Sequence, residues 1–240
     1  MCRSFAFAIL PLLLVSSCAE PLDKELSAVV RIAANQGGTP VRGTGFVISV
    51  TPKQAIIVTA AHVVNKVQTP TVTFAADLEK NFPAGPLIGI LANSPGGLAA
   101  FSVSGEIPAG VTTLSVEGEN PSRLGQPLFL LGFPQMDIAP RTTQRILSAR
   151  REKLLLIDQE VGEGFSGGPV IENGKVVGVV TDVDGLTTYA VDGVETQKIL
   201  QAWKLIPEIK NSPSALSPAE QYYIMQQMQP RQYGGSPWHP

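Results

Sequence analysis

The chain has 240 residues, 44% of them hydrophobic and 16% charged, and a net charge of −2. Because no run of basic residues occurs, nucleic acid is not an expected partner. Two histidines and two cysteines are too few to build an ordinary His/Cys metal site, so no metal and no other cofactor is expected.

The first residues have the form of a secretory signal. Arg3 precedes an apolar run over residues 5–15, which is shorter than the roughly 20 residues that a membrane-spanning helix needs. The sequence VSSC at 15–18 resembles a bacterial lipobox, which predicts a lipid on Cys18 after removal of residues 1–17 as a signal peptide. The alternative is ordinary cleavage beside an incidental cysteine. Lipidation would hold the protein at the bacterial cell envelope, on the periplasmic or extracellular face of a membrane.

The next part of the chain, after an N-terminal linker at 18–26, consists of short apolar runs separated by Gly, Pro, Asn and Asp. Runs rich in β-branched residues at this spacing predict an all-β sandwich or barrel. A helical pattern follows at 194–203, and residues 211–240 form a tail rich in Pro and Gln that we expect to be disordered. The predicted strands are 28–33, 45–50, 55–61, 71–75, 87–91, 98–103, 127–133, 153–158 and 175–183.

The most informative segment is GEGFSGGPV at 162–170, where glycines surround Ser166. A nucleophilic serine needs a base for its proton and donors for the oxyanion, and flanking glycines let the backbone turn its N–H groups inward. Gly164 and Ser166 are the candidate oxyanion donors. His62, in TAAHVV, is the candidate base, because the other histidine lies next to the last residue. The alternatives are that Ser166 only fills a tight turn and that His62 only borders the core.

Three segments in this order resemble the landmarks of trypsin-fold (chymotrypsin-like) serine peptidases: GTGFVI at 43–48, TAAHVV at 59–64 and GFSGGPV at 164–170. Within that class the chain is most similar to the bacterial HtrA/Do-like branch, through LLGFP at 130–134 and LIDQEVGEGFSGG at 156–168. The PDZ domains of full HtrA proteins are not expected, since no further domain follows.

The resemblance implies an all-β fold of two six-stranded antiparallel barrels with a C-terminal helix and the site in the cleft between the barrels. The peptidase domain is then expected over 27–210, with barrels at about 27–124 and 125–205. The resemblance also implies RILSARR at 145–151 as a strand, and a strand that pairs with substrate at Val180 and Thr181.

The triad aspartate of the family is missing at its expected place. The matching segment is GLAAFSV, which begins with Gly97. Asp77 is predicted to be a solvated residue of a hairpin turn. Asp137 follows LGFP and so lies on the wrong side of the linker between the two barrels, and Asp158 matches a structural aspartate. Asn93 or Ser94 are the side chains that would stand in for the carboxylate, and a Gly97→Asp change would be expected to restore it.

The sequence therefore predicts an envelope-anchored serine endopeptidase that hydrolyses peptide bonds through an acyl-enzyme on Ser166, with weak activity because of Gly97. The alternative is a catalytically inactive trypsin-fold lipoprotein that binds extended peptides or acts as a scaffold. The expected partner is a polypeptide substrate or peptide ligand in either case, together with the membrane through the lipid anchor.

Overall fold

The structure is a computed structural model that describes residues 22–92, 96–119, 122–135 and 137–207. The predicted signal peptide, Cys18 and the tail at 211–240 lie outside these residues. A short helix and six strands come first: α1 (Asp23–Ser27), β1 (Val29–Gln36), β2 (Thr39–Thr51), β3 (Gln54–Ala60), a one-turn helix α2 (Ala61–Val64), β4 (Gln68–Phe74), β5 (Asp77–Ile90) and β6 (Leu98–Ser104). The second half contains β7 (Pro127–Gly132), β8 (Arg141–Arg151), β9 (Leu154–Asp158), β10 (Pro169–Glu172), β11 (Lys175–Val183), β12 (Thr187–Asp192) and α3 (Gly193–Ala202).

The strands form two closed antiparallel barrels, as predicted. Barrel one has the order β1-β2-β3-β6-β5-β4 and barrel two the order β10-β11-β12-β9-β8-β7. Closure leaves no strand at the edge of a sheet, which explains why β6 can be buried at every position from Leu98 to Val103. All strand neighbours within a barrel come from one half of the chain, so the fold consists of two units in sequence.

Two strands, β10 and β12, and two short helices, α1 and α2, are present that the sequence patterns did not predict. Strand β10 has only four residues and directly follows the glycine-rich loop, while β12 alternates buried and half-buried residues over its first four positions. Helix α1 occupies part of the expected linker, because Leu22 and Leu26 pack against the core.

One hydrophobic cluster joins the two barrels to α3. Barrel one contributes Phe46, Val58 and Leu98, and barrel two contributes Ile171 and Val179. Helix α3 adds Ile199 and Leu200, followed by Trp203, whose ring lies against Gly89 of β5 in barrel one. The helix at the end of barrel two thus brings Trp203 back to barrel one and adds to the contact between the two units.

The connecting segment at 105–126 is bonded to both barrels. The N–H of Leu114 donates to Val47 O of barrel one at 2.9 Å, and the N–H of Glu117 donates to Val176 O of barrel two at 2.8 Å. The connection is therefore part of the packed structure.

None of the helices in the described ranges has the length and apolar composition needed to cross a membrane. Within the same ranges, no group of three or more His, Cys, Asp or Glu side chains is arranged to hold a metal ion.

Candidate active site

Ser166 lies in the loop between β9 and β10, at the interface of the two barrels. Gly164 and Gly167 on either side have φ values of +95° and +86°, a region that L side chains rarely adopt. A Cβ atom at Gly164 would lie 2.2 Å from Phe133 O, and one at Gly167 would lie 2.1 Å from Thr44 O. Both positions therefore require glycine, which explains the glycine frame seen in the sequence.

The peptide plane that carries the Gly164 N–H is fixed by its neighbour. The carbonyl oxygen of Glu163 accepts a hydrogen bond of 3.0 Å from the Gln135 N–H. Because the carbonyl and the N–H of a trans peptide point in opposite directions, the Gly164 N–H points away from Gln135. No acceptor for this N–H exists among the residues that the structure describes.

The Ser166 N–H is held in the same manner. The carbonyl oxygen of Phe165 accepts a hydrogen bond of 2.8 Å from the Gly168 N–H, which orients the peptide plane between Phe165 and Ser166. The Ser166 N–H also has no acceptor in the described part of the chain. Both predicted oxyanion donors thus have fixed peptide planes, and neither donates to a residue that the structure describes.

Barrel two holds the loop from the other side through Val180 of β11. The Gly167 N–H donates to Val180 O at 2.7 Å, and the Val180 N–H donates to Gly168 O at 2.9 Å. Both main-chain groups of Val180 are therefore occupied by the nucleophile loop. Thr181, which follows, is the remaining residue of the predicted substrate strand.

His62 lies in α2, directly after β3, and its side chain faces the cleft. With Asp182 it lines an open pocket of about 360 Å³ whose other walls are Ala61, Ala92, Gly96, Gly97 and Thr181. Although the residue is exposed, desolvation of the ring lowers the pKa of His62 below its ordinary value, and the negative charge of Asp182 offsets part of this effect. The neutral imidazole that a general base requires is thus the favoured form at pH 7.

Ser166 and His62 are not hydrogen-bonded to each other in this structure. The loop nevertheless packs beside the strand that leads to α2, since a Cβ atom at Gly167 would lie 2.8 Å from Ala60 N. Catalytic hydrogen bonds are often long in free enzymes and shorten when substrate binds. The loop of Ser166 thus lies beside the strand that leads to His62, whereas Ser166 is not among the residues that line the pocket of His62. The catalytic roles of the two residues stay a prediction.

The space at Gly97 is closed. A Cβ atom there would lie 2.1 Å from the carbonyl oxygen of Leu91 and 3.2 Å from the Ala61 Cβ. The Gly97 carbonyl accepts a hydrogen bond of 2.8 Å from the Ala61 N–H, so the backbone beside α2 is already engaged. The expectation that Gly97→Asp would restore a carboxylate is wrong, because any side chain would displace this backbone.

No carboxylate of the described residues lies within 4.0 Å of a His62 nitrogen. Asp182 of β11 is the acidic residue that shares its pocket, and its Oδ1 accepts a hydrogen bond of 2.9 Å from the Val183 N–H. Asn93 and Ser94, the proposed stand-ins, lie outside the described residues. Asp182 was not among the sequence candidates, because no local pattern marks it. The packing of barrel two brings its side chain to the pocket that His62 lines.

The other aspartates considered from the sequence lie away from His62. Asp77 was predicted to be a solvated turn residue; it is half-buried and is the first residue of β5, directly after the β4–β5 turn, where it accepts a hydrogen bond of 3.2 Å from the Glu79 N–H. Asp137 forms an ion pair of 2.5 Å with Arg141 in barrel two. Asp158 accepts a hydrogen bond from the Ile146 N–H, between strands of the same barrel.

A sequence model described as "Trypsin-like peptidase domain" matches residues 43–179, more than half of the chain and both sides of this cleft. The chain belongs to the trypsin-like peptidase family. No curated protein matches the sequence.

Solved structures with the same fold include proteases of this family. A serine endoprotease from Yersinia pestis has 21% identity and a TM-score of 0.63, and the match covers 76% of this chain and 64% of that protein. The inactive form of a mutant of Rv3671c from M. tuberculosis H37Rv has 23% identity and a TM-score of 0.59, with 79% of this chain and 92% of that one covered. The Rv3671c protease in its inactive form has 25% identity and a TM-score of 0.57, with 75% and 90% covered. The present chain thus spans about two thirds of the Yersinia structure and most of the mycobacterial ones.

Proposed function

We propose that this protein is a serine endopeptidase that cleaves polypeptides through an acyl-enzyme on Ser166. The observation that carries the proposal is the nucleophile loop, in which the N–H groups of Gly164 and Ser166 are fixed by neighbouring hydrogen bonds and have no described acceptor. Such fixed, free donors are what the oxyanion of acyl transfer requires.

In the proposed reaction the neutral imidazole of His62 accepts the hydroxyl proton as Ser166 Oγ attacks the peptide carbonyl carbon. The two N–H groups bind the carbonyl oxygen while it carries negative charge. The imidazolium then gives its proton to the leaving amine, and water hydrolyses the ester by the same steps in reverse roles. A substrate strand would pair with β11 at Thr181, since the main chain of Val180 is occupied.

The lack of a carboxylate near His62 among the described residues predicts slow chemistry. Neutralising the aspartate of a serine–histidine–aspartate triad lowers kcat about 10⁴-fold, because the histidine tautomer and orientation are no longer fixed. This factor corresponds to about 5.4 kcal/mol of transition-state stabilisation. The oxyanion donors do not depend on the carboxylate, so labelling by a reactive probe should remain detectable over long incubations.

The test is covalent labelling of the purified domain with a fluorophosphonate, followed by mass spectrometry of the peptide that contains Ser166. Wild type should gain the probe on Ser166, and Ser166→Ala should gain none. His62→Gln should slow labelling by about 10²-fold or more, the range of general-base catalysis. Absence of labelling in folded wild type would contradict the proposal.

One observation favours a second candidate, a peptide-binding protein without catalysis. No described carboxylate lies within 4.0 Å of His62, and the space at Gly97 is closed to one. In that case an extended peptide would add to β11 beyond Val180, where the strand continues past its pairing with β10. A fluorescent peptide that binds wild type and Ser166→Ala with equal affinity, without cleavage, would distinguish this function from the first.

We further propose that a lipid on Cys18 tethers the domain to the bacterial envelope. The support is the VSSC sequence after a short apolar run. Stable anchorage needs more than one acyl chain, as a modified N-terminal cysteine would supply. Wild type should fractionate with membranes and Cys18→Ala with the soluble fraction; identical partitioning of the two would contradict lipidation.

A further inference from the structure

Thr44 of β2 is fully buried at the contact between the barrels and uses every polar group it has. Its hydroxyl donates to Gly164 O at 2.6 Å and accepts a hydrogen bond of 2.9 Å from the Phe133 N–H. Its N–H donates to Ser166 O at 2.8 Å. Its carbonyl accepts a hydrogen bond of 2.6 Å from the Thr59 hydroxyl.

These contacts enclose the part of the loop that performs the proposed chemistry. The carbonyls of Gly164 and Ser166 follow the two candidate oxyanion N–H groups within the same residues. Holding both carbonyls against barrel one limits the rotation of the backbone that carries those N–H groups. The bond from the Phe133 N–H adds the segment after β7, whose next residues support Gly164 through Gln135.

A hydroxyl group is required for this arrangement. Gly164 is buried and Phe133 is only 1% exposed, so without the hydroxyl one acceptor and one donor would lose their partner away from water. Burying unpaired polar groups is unfavourable, and the loop would be expected to rotate until they found other partners. The N–H groups of Gly164 and Ser166 would then leave their orientation.

We propose that Thr44 is a positioning residue that holds the oxyanion donors of the nucleophile loop from the opposite barrel. The effect of Thr44 on catalysis rests on the proposed function, whereas the effect of Thr44 on the conformation of the loop does not depend on it. Displacements of about 1 Å near reacting atoms reduce rates by about 10²-fold, so loss of the hydroxyl should slow acylation by about 10- to 100-fold.

The first measurement is fluorophosphonate labelling of Thr44→Val and Thr44→Ser, resolved into probe affinity and maximal rate. Valine keeps the shape and removes the hydroxyl, while serine keeps the hydroxyl. We expect Thr44→Val to lower the maximal rate with little change in affinity, and Thr44→Ser to recover most of the rate.

Thr73→Val is the matched control. Thr73 is a threonine of the same barrel with 2% exposure, and its hydroxyl donates to Asn81 Oδ1 at 2.6 Å and accepts from Arg31 at 3.2 Å. It therefore loses two hydrogen bonds, neither of them to the loop, although the Arg31 guanidinium also lies 6.0 Å from the centre of the Phe133 ring. If Thr73→Val slows labelling as much as Thr44→Val, the effect is one of general stability and the proposal fails.

The second measurement is amide hydrogen exchange, which needs no catalysis. Thr44→Val should speed amide exchange in 133–135 and 163–168 and leave exchange in β8 and β9 unchanged. If exchange in 133–135 and 163–168 does not change, the proposal is overturned. If wild type does not label at all, the proposed function fails, and exchange alone decides the role of Thr44. If valine prevents folding, Thr44→Ala, which leaves room for a water molecule, takes its place in both measurements.

Discussion

At the scale of single residues, the charge of Asp182 acts across the cleft on His62, the proposed base. Burial lowers the pKa of His62, and the Asp182 carboxylate raises it in part, so the two effects oppose each other. Asp182 is exposed and lies beyond hydrogen-bonding distance, so its influence is electrostatic and does not fix the imidazole tautomer.

Asp182→Asn should therefore lower the pKa of His62 further, because the charge that favours the imidazolium is removed. The acid limb of any pH–rate profile should also move to lower pH, since the neutral imidazole is the proposed base. NMR titration measures the pKa directly, with His62→Gln to assign the signal. Asp184→Asn, which removes a neighbouring charge bonded to Tyr189, is the control and should have a smaller effect.

High salt offers an independent check of the same prediction. The Debye length falls from about 10 Å at 0.1 M salt to about 3 Å at 1 M. The difference between wild type and Asp182→Asn should shrink accordingly. A difference that salt does not change would indicate a rearrangement of the cleft in place of a charge effect.

The residues found from sequence and those missed differ in one physical respect. Ser166 and His62 could be proposed from the sequence because glycines surround Ser166 and because only one other histidine occurs in the chain. Thr44 contacts a carbonyl 120 residues away, and Gly97 is closed by the carbonyl of Leu91. Contacts of this kind depend on how the barrels pack, and no local pattern encodes them.

At the scale of elements, α3 begins at a capping residue. Asp192 accepts a hydrogen bond of 2.8 Å from the Glu195 N–H and lies 3.5 Å from Arg150. Burial raises the pKa of Asp192, while the Glu195 N–H and Arg150 act in the opposite direction. The residue thus provides a needed acceptor at the cost of a partly desolvated charge.

Asp192→Ala should lower the free energy of unfolding by about 0.5–2 kcal/mol, the usual effect of losing an N-cap. Asp192→Asn keeps the acceptor and should lose less. Because the folded pKa is raised, the contribution of Asp192 to stability decreases as pH rises from its unfolded pKa through its folded pKa. In urea denaturation at pH 3 and pH 7, the free energy of unfolding of Asp192→Asn should be more favourable relative to wild type at pH 7 than at pH 3. An equal difference between variant and wild type at both pH values would contradict this.

Most strands could be predicted because each combines β-branched residues with a turn signal. The exceptions have identifiable reasons. Strand β10 is too short for its own pattern, and α1 depends on Leu22 and Leu26 reaching a core that only the folded barrels create. The glycine loop was noticed for its chemistry, although it also introduces β10.

At the scale of the whole molecule, Trp203 links the end of barrel two to barrel one. Trp203→Ala should reduce the free energy of unfolding by about 3–5 kcal/mol, as expected for loss of a large buried aromatic side chain. Trp203→Phe should lose less, because the buried indole N–H has no acceptor among the described residues. Guanidinium denaturation measures both. If Trp203→Ala unfolds like wild type, the packing of α3 on β5 does not hold the barrels together.

The segment at 105–126 has a consequence for cutting the chain. Each barrel is closed by strands of its own half of the chain. The segment has an exposed turn at Gly110, and the residues that follow this turn are hydrogen-bonded to both barrels. Two separately expressed pieces, divided after Gly110, should therefore each form a barrel and recombine through the shared core. His62 and Thr44 would arrive on one piece and Ser166 on the other. The domain would then serve as a split reporter. The fragment with Ser166 would react with the covalent probe only when it is bound to the fragment with His62, so the amount of labelled protein would measure the amount of complex.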